Sequence, residues 1–177
     1  MKQVVIRTMS GITKINKAMV WVIGTLIAFV SILLFFDVLM RYFFNAPTVW
    51  AFDLSTWSTG IIAFGLGGYA LAMGHHVRVD VFFENYSRKQ KSVVDLVGMA
   101  LLFVMAVTLI WVGMDYVIHY YQVGAMSSGG MEMPLWIQWL IVPIGGALIG
   151  LQGLVRSINN IHIIVTGEDL YNAEEGR

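Results

Sequence analysis

The sequence predicts an all-α integral membrane protein with four transmembrane helices and both termini on the cytoplasmic side. Three observations carry that prediction. First, four uncharged stretches, Ala18–Phe36, Leu54–Met73, Val97–Met114 and Pro134–Val155, each run roughly 18–22 residues. A helix needs about 20 apolar residues to cross a hydrocarbon core of about 30 Å. Second, 58% of residues are hydrophobic, only 12% are charged, and the mean hydropathy is +0.73. Such values suit a membrane chain far better than a soluble domain. Third, the basic residues alternate between sides. Lys2, Arg7, Lys14 and Lys17 precede the first stretch, Arg78, Arg88, Lys89 and Lys91 separate the second from the third, and Arg156 follows the fourth. The other two connectors together hold only Arg41. By the positive-inside rule both termini and the middle loop face the cytoplasm.

Residues 1–17 are expected to form a short cytoplasmic amphipathic helix at the membrane interface. Val5, Met9, Ile12 and Met19 share a face, and the lysines lie near anionic membrane lipids. The four-helix domain then covers residues 18–158, with helices at about 18–43, 50–74, 93–118 and 134–157. The first helix is too long for a signal h-region and is expected to be a retained anchor. The second carries Gly60, Ala63, Gly67, Ala70 and Gly74 on one stripe. The fourth carries Gly146, Gly150 and Gly153, the first two as a GxxxG. Small residues let helices approach closely in lipid, so these faces are expected either to pack the bundle or to meet a larger membrane subunit. Pro143 is expected to bend the fourth helix, because its ring removes an intrahelical hydrogen bond. Tryptophans and tyrosines at the boundaries, among them Trp50, Tyr116, Tyr120, Trp136 and Trp139, form interfacial belts. Residues 159–177 form a polar cytoplasmic tail, expected to be poorly ordered from Thr166 onward.

Composition excludes several functions. Net charge is zero, so no basic field draws the chain to nucleic acid. Cysteine is absent, which removes disulfides and thiolate ligands. His75 and His76 fall at one end of helix two, His119 at the opposite side and His162 in the tail. Histidines on both membrane faces cannot ligate one iron, so no cofactor or metal site is assigned. His75–Asp80 offers no further ligand set, and Gly65, Gly67 and Gly68 sit inside a span, where they are packing residues and not a phosphate loop. No nucleophile and base are combined, so the chain is not expected to be an enzyme.

The charged residues at the outer ends carry the remaining chemistry. Asp37 and Arg41 are spaced i, i+4 and can pair on one face. Asp53 opens helix two, where the helix dipole favours a carboxylate, and is a candidate interhelical partner of Arg41. Glu132 lies on the same side. These four are candidates either for pairing between helices or for docking a soluble partner. No ionisable residue falls mid-span, where an ion-coupled carrier usually has one.

The segment from Asp37-Val-Leu-Met-Arg-Tyr-Phe-Phe-Asn-Ala-Pro47 to Trp50, the stretch Gly74-His75-His76-Val77-Arg78-Val79-Asp80, and Pro134-Leu135-Trp136 leading to Ile141-Val142-Pro143-Ile144-Gly145 form an ordered pattern. It resembles the small permease subunit of TRAP (tripartite ATP-independent periplasmic) transporters over most of residues 20–155. Family members often carry an acidic pair after the Trp; here Ala51, Phe52 and a single Asp53 follow Trp50. The resemblance implies a scaffold in the bacterial inner membrane, working beside a separate large permease chain that carries substrate and sodium sites. It also implies a periplasmic solute-binding receptor and import of an organic acid on a sodium gradient. A membrane anchor for a redox enzyme is the alternative, and a small homodimeric exporter is a third reading, for which a mid-span carboxylate would be expected.

Overall fold

The computed structural model describes residues 2–73 and 86–171. Gly74, the His75–Asp80 stretch and the last six residues of the tail lie outside the described residues. Five helices are described: α1 (Lys2–Phe44), α2 (Val49–Ala72), α3 (Arg88–Val123), α4 (Leu135–Trp139) and α5 (Ile141–Thr166). Outside them, a single isolated bridge pairs Met126 with Pro134.

α1 differs from expectation. In place of an interfacial helix followed by a span, residues 2–44 form one unbroken helix of 43 residues, about 65 Å long at 1.5 Å per residue. Nothing at the junction Lys14-Ile15-Asn16-Lys17 breaks a helix, and Thr13 and Asn16 find partners on a neighbouring helix instead of on a surface. The helix stops where Asn45 takes a left-handed φ of 51° and Pro47 forbids continuation. The Ala46 N–H closes the end on the Met40 carbonyl at 3.1 Å.

Three stretches among the described residues are long and apolar enough to cross a bilayer: Gln3–Phe44, Arg88–Val123 and Leu135–Thr166. The fourth expected span, α2, is diluted by Ser55, Thr56, Ser58, Thr59 and its glycines. Three of those hydroxyls donate back to their own helix: Ser55 and Thr56 to the Phe52 carbonyl, each at 2.9 Å, and Thr59 to Ser55 at 2.7 Å. Inward satisfaction of this kind is what allows polar residues on a helix placed in lipid.

α3 starts five residues before the expected boundary and ends five residues after it. Ser87 and Gln90 make a capping box, and Gly124 ends the helix with φ 65°. The fourth helix is interrupted at Leu140, so Pro143 lies in the first turn of α5 and costs no intrahelical bond. The expected bend at Pro143 is therefore a break one turn earlier. α5 then runs to Thr166, where Gly167 (φ 83°) caps it by donating to the Ile163 carbonyl at 2.8 Å.

The helices stand as a row. α1 packs chiefly on α2, α2 on α5, and α5 on α3, with α4 wedged against α3 and a smaller contact between α1 and α5. Chain order is thus not spatial order: α5 lies between α2 and α3. Where the row draws together, Leu71, Met99, Leu102 and Ile149 form a buried apolar cluster backed by Phe103. The outward faces are apolar and open, with Trp21 80%, Ile32 70%, Leu101 70% and Trp111 76% exposed. In water such faces would aggregate; against lipid or a second membrane protein they need no other cover.

Glycines set how close the row can be. A methyl on Gly67 would meet Ile149 of α5, and one on Gly60 would sit 3.6 Å from Ile141. Gly65 faces Met19 and Ile23 of α1. On α5, Gly146, Gly150 and Gly153 face Ala106, Leu109, Leu102 and Phe103 of α3. Ala63 is exposed and Ala70 half-buried. These contacts separate two substitutions. Gly145→Ala would place its methyl 2.6 Å from Phe64 Cβ and 3.0 Å from the Phe64 carbonyl, which is backbone and must move. We expect it to cost about 1–3 kcal/mol. Gly150→Ala places its methyl 3.5 Å from Ala106 Cβ, an ordinary contact, and is expected to leave the unfolding midpoint unchanged. Thermal unfolding of both variants in one detergent checks the pair.

Candidate functional site: two carboxylate clasps at the connector end

The α1–α2 turn and the 124–134 connector lie at one end of the row. Each is tied down by a buried carboxylate. Asp37, 7% exposed, accepts the Thr48 backbone N–H at 2.8 Å and the Thr48 hydroxyl, both on Oδ1. Its other oxygen pairs with the Arg41 guanidinium at 2.8 Å. Thr48 is the N-cap residue of α2, yet its hydroxyl serves α1 instead of its own helix. Asp37 therefore fastens the end of one helix to the start of the next. Phe36 stacks on Trp50 with ring centroids 6.2 Å apart and closes the same turn.

Asp53 does not meet Arg41, and the expected interhelical pair between them is replaced by two separate commitments. Arg41 is held by Asp37, one turn back on its own helix. Asp53, 3% exposed, accepts the Ser127 hydroxyl at 2.9 Å and the Met131 backbone N–H at 3.0 Å. Asp53 does not open helix two as expected: α2 starts at Val49 and its first turn holds no acidic residue. One turn in, beyond the reach of the N-terminal dipole, the carboxylate crosses to the far connector. That reach depends on Gly129, where any Cβ would overlap the Asp53 carboxylate, and on Gly130, where one would overlap Val49. The connector is also held to itself: Ser127 N–H donates to the Met133 carbonyl at 2.8 Å and Leu135 N–H to Ala125 at 3.0 Å. Glu132 stands exposed on this loop with φ 45°, a left-handed conformation that side chains other than glycine seldom adopt.

Next to the second clasp, aromatic rings join α3 to α4. Trp139 stacks on Tyr116 at 4.4 Å and lies 5.7 Å from Tyr120, and Trp136 meets Tyr121 edge-on at 5.8 Å. The amphipathic rings expected at a membrane boundary thus also fix the position of the short helix. The structure divides the four candidate residues in two. Asp37 and Asp53 are buried braces; Arg41, its side chain 61% exposed, and Glu132 face outward.

The opposite end holds polar pairings that reading the sequence missed. Arg156 of α5, counted there only as a topological charge, bonds Asp95 of α3 through Nε at 3.1 Å and Nη2 at 2.8 Å. Both side chains are nearly buried, at 13% and 15% exposed. The available signal was that Asp95 and Arg156 border apolar runs at the same membrane face. Arg88 pairs with Asp169, Asn159 holds Asp169 at 3.3 Å, and the Leu170 and Tyr171 N–H groups donate to Asn159 at 2.9 and 3.0 Å. Residues 169–171 are therefore tied to α3 and α5 by side chains, Arg88 and Asn159 fastening the segment after α5 back onto those helices. His162 adds a Nδ1 contact to the Glu168 carbonyl at 3.0 Å. Among the described residues no three His, Asp or Glu gather as a metal site.

The arrangement supplies two braced loops at one end, a polar seam at the other, and open apolar faces between them. Searches of curated proteins and of solved structures returned no match. A family model does match, over residues 30–162, which spans both clasps and most of α5: tripartite ATP-independent periplasmic transporters, DctQ component. The chain belongs to that family, the small membrane component of TRAP transporters.

Proposed function

We propose that this chain is the non-transporting membrane support of a three-part importer that takes up an organic acid on a sodium gradient. It crosses the inner membrane four times with both termini in the cytoplasm, braces a separate large permease chain, and helps dock the periplasmic solute receptor. Family membership supports the system. The alternating basic residues support the orientation, and α2, 24 residues or about 36 Å long, has the length of a span. The observation that carries the supporting role is how the ionisable groups are used. Asp37 and Asp53 are bound into the fold at the connector end, Asp95 and Arg156 to each other toward the opposite end, and the four apolar stretches hold no Asp, Glu, Lys, Arg or His. A protein that couples ions usually places such a group in mid-membrane.

Reconstitution tests the reading. The chain alone in proteoliposomes is expected to move no solute, and uptake is expected once the large permease chain and receptor are added. Solute uptake by the chain alone would refute it.

The docking surface lies in Arg41, in the last turn of α1, and Glu132, on the braced connector, two opposite charges. Arg41→Glu and Glu132→Lys are each expected to weaken receptor-dependent uptake about fivefold, the effect of losing roughly 1 kcal/mol. Co-purification with the large subunit is expected to stay intact. Normal uptake in both variants would remove these residues from the docking surface.

A further inference from the structure

At the end of the row opposite the clasps lies a buried polar cluster that the supporting role leaves unexplained. Thr13 and Asn16 of α1 and Gln152 of α5 are 1%, 1% and 3% exposed. Asn16 Nδ2 donates to Gln152 Oε1 at 3.2 Å and to the Ile12 carbonyl at 3.2 Å, and Gln152 Nε2 donates to Thr13 Oγ1 at 3.4 Å. Asn16 Oδ1 has no hydrogen-bond partner. It lies against Gly68 of α2, where any Cβ would overlap it, and that same Cβ would sit 3.3 Å from the Leu148 carbonyl of α5. One amide thus meets two other helices at a point where a single missing methyl makes room for it.

We propose that Thr13, Asn16 and Gln152, closed by Gly68, form a register pin. The pin holds the first 16 or so residues of α1 in line with the rest of the helix and against α5. It selects this arrangement over one in which residues 2–17 separate and lie along the membrane surface. The physical case starts from the rest of α1. The Asp37 clasp fixes only its far end. Over Ala18–Phe36 its side chains are apolar or hydroxyl-bearing and largely exposed, and contacts of that kind change little when a helix slides or swings in lipid. A buried amide behaves differently, since it has partners in one register only and is left desolvated in every other. A single buried Asn fixes register in coiled coils by the same logic, at some expense in stability. The released state also has somewhere to go. Val5, Ile6 and Ile12 are only half-buried, while Arg7 and Lys14 are exposed, so a freed arm could rest on an anionic bilayer surface.

Because the chain contains no cysteine, two introduced cysteines report distances without background. Spin labels at Thr8 and Ile161, both exposed on α1 and α5, would be measured in the full chain in phosphatidylethanolamine–phosphatidylglycerol nanodiscs. The otherwise unaltered chain is expected to give one narrow distance. Asn16→Leu, Gln152→Met and Gly68→Ala are each expected to add a second, longer population, shifting the docked-to-released ratio roughly tenfold. Gly150→Ala, which makes an ordinary contact on the α3 side, is expected to keep the single distance. Gln152→Met conserves volume and removes only the amide, so it decides the matter even where another variant fails to fold. One narrow distance in Gln152→Met overturns the pin, and so does a broad distribution in the otherwise unaltered chain.

Discussion

Asp53→Ala is expected to release the 124–133 connector and to lower the stability of the chain by about 3 kcal/mol. The carboxylate is buried and accepts from the Ser127 hydroxyl and the Met131 N–H. Hydrogen bonds to a charged group contribute roughly 1.5–3 kcal/mol each, and the donors left behind regain only part of that from water. The midpoint of thermal unfolding in detergent should fall, and the connector should become open to protease between Ser127 and Met133. Gly129→Ala should reproduce both effects with Asp53 itself unchanged, because its methyl would take the space the carboxylate occupies. Ser127→Ala, which removes one of the two donors, should cost about 1.5 kcal/mol. If Asp53→Ala kept the unfolding midpoint and the protease pattern of the unaltered chain, the clasp would have no energetic role.

Arg156→Met is expected to be about as damaging at the other end, at roughly 3–5 kcal/mol. It deprives a nearly buried Asp95 of two charge-assisted hydrogen bonds. The combination Asp95→Leu with Arg156→Met should recover much of that loss, since an apolar pair of similar volume carries no desolvation penalty. A double-mutant cycle on unfolding midpoints measures the coupling. Additive single and double effects would show that the two side chains do not act as a pair. The seam joins α3 to α5, the most extensive helix pair in the fold, so its failure should also reduce co-purification with the large subunit.

How much of this was legible before the structure depends on the range of each interaction. Helix existence was legible because an uncharged run of about 20 residues has few alternatives in lipid. Helix ends were not, since the signals lie outside the apolar runs: the Ser87–Gln90 capping box and the left-handed Gly124 extend α3 beyond its hydrophobic stretch. The Asp37–Arg41 pair was visible from its i, i+4 spacing. Asp53 was identifiable as a residue with a task, but its partners Ser127 and Met131 are 74 and 78 positions away, and only the packing of α2 beside α5 and its connector brings them near. The same holds for Asn16 and Gln152, separated by 136 positions. Their polarity was plain, yet residues 1–17 read as a surface helix because a helical wheel has no term for a partner on another helix. The glycine stripes told which faces come close and could not tell to what.

The row also constrains how the protein can be made. Helices leave the ribosome as α1, α2, α3 and then α5, whereas in space α5 stands between α2 and α3. After α1 and α2 have paired, α3 enters the bilayer with its main neighbour not yet synthesised. Its glycine-facing surface, Leu102, Ala106 and Leu109, must wait in lipid or at the insertion machinery until α5 arrives with Gly146, Gly150 and Gly153. Assembly of the row is therefore a final, post-insertional step that depends on the last helix, and a chain cut short before Leu135 should leave α3 as an orphan for membrane quality control.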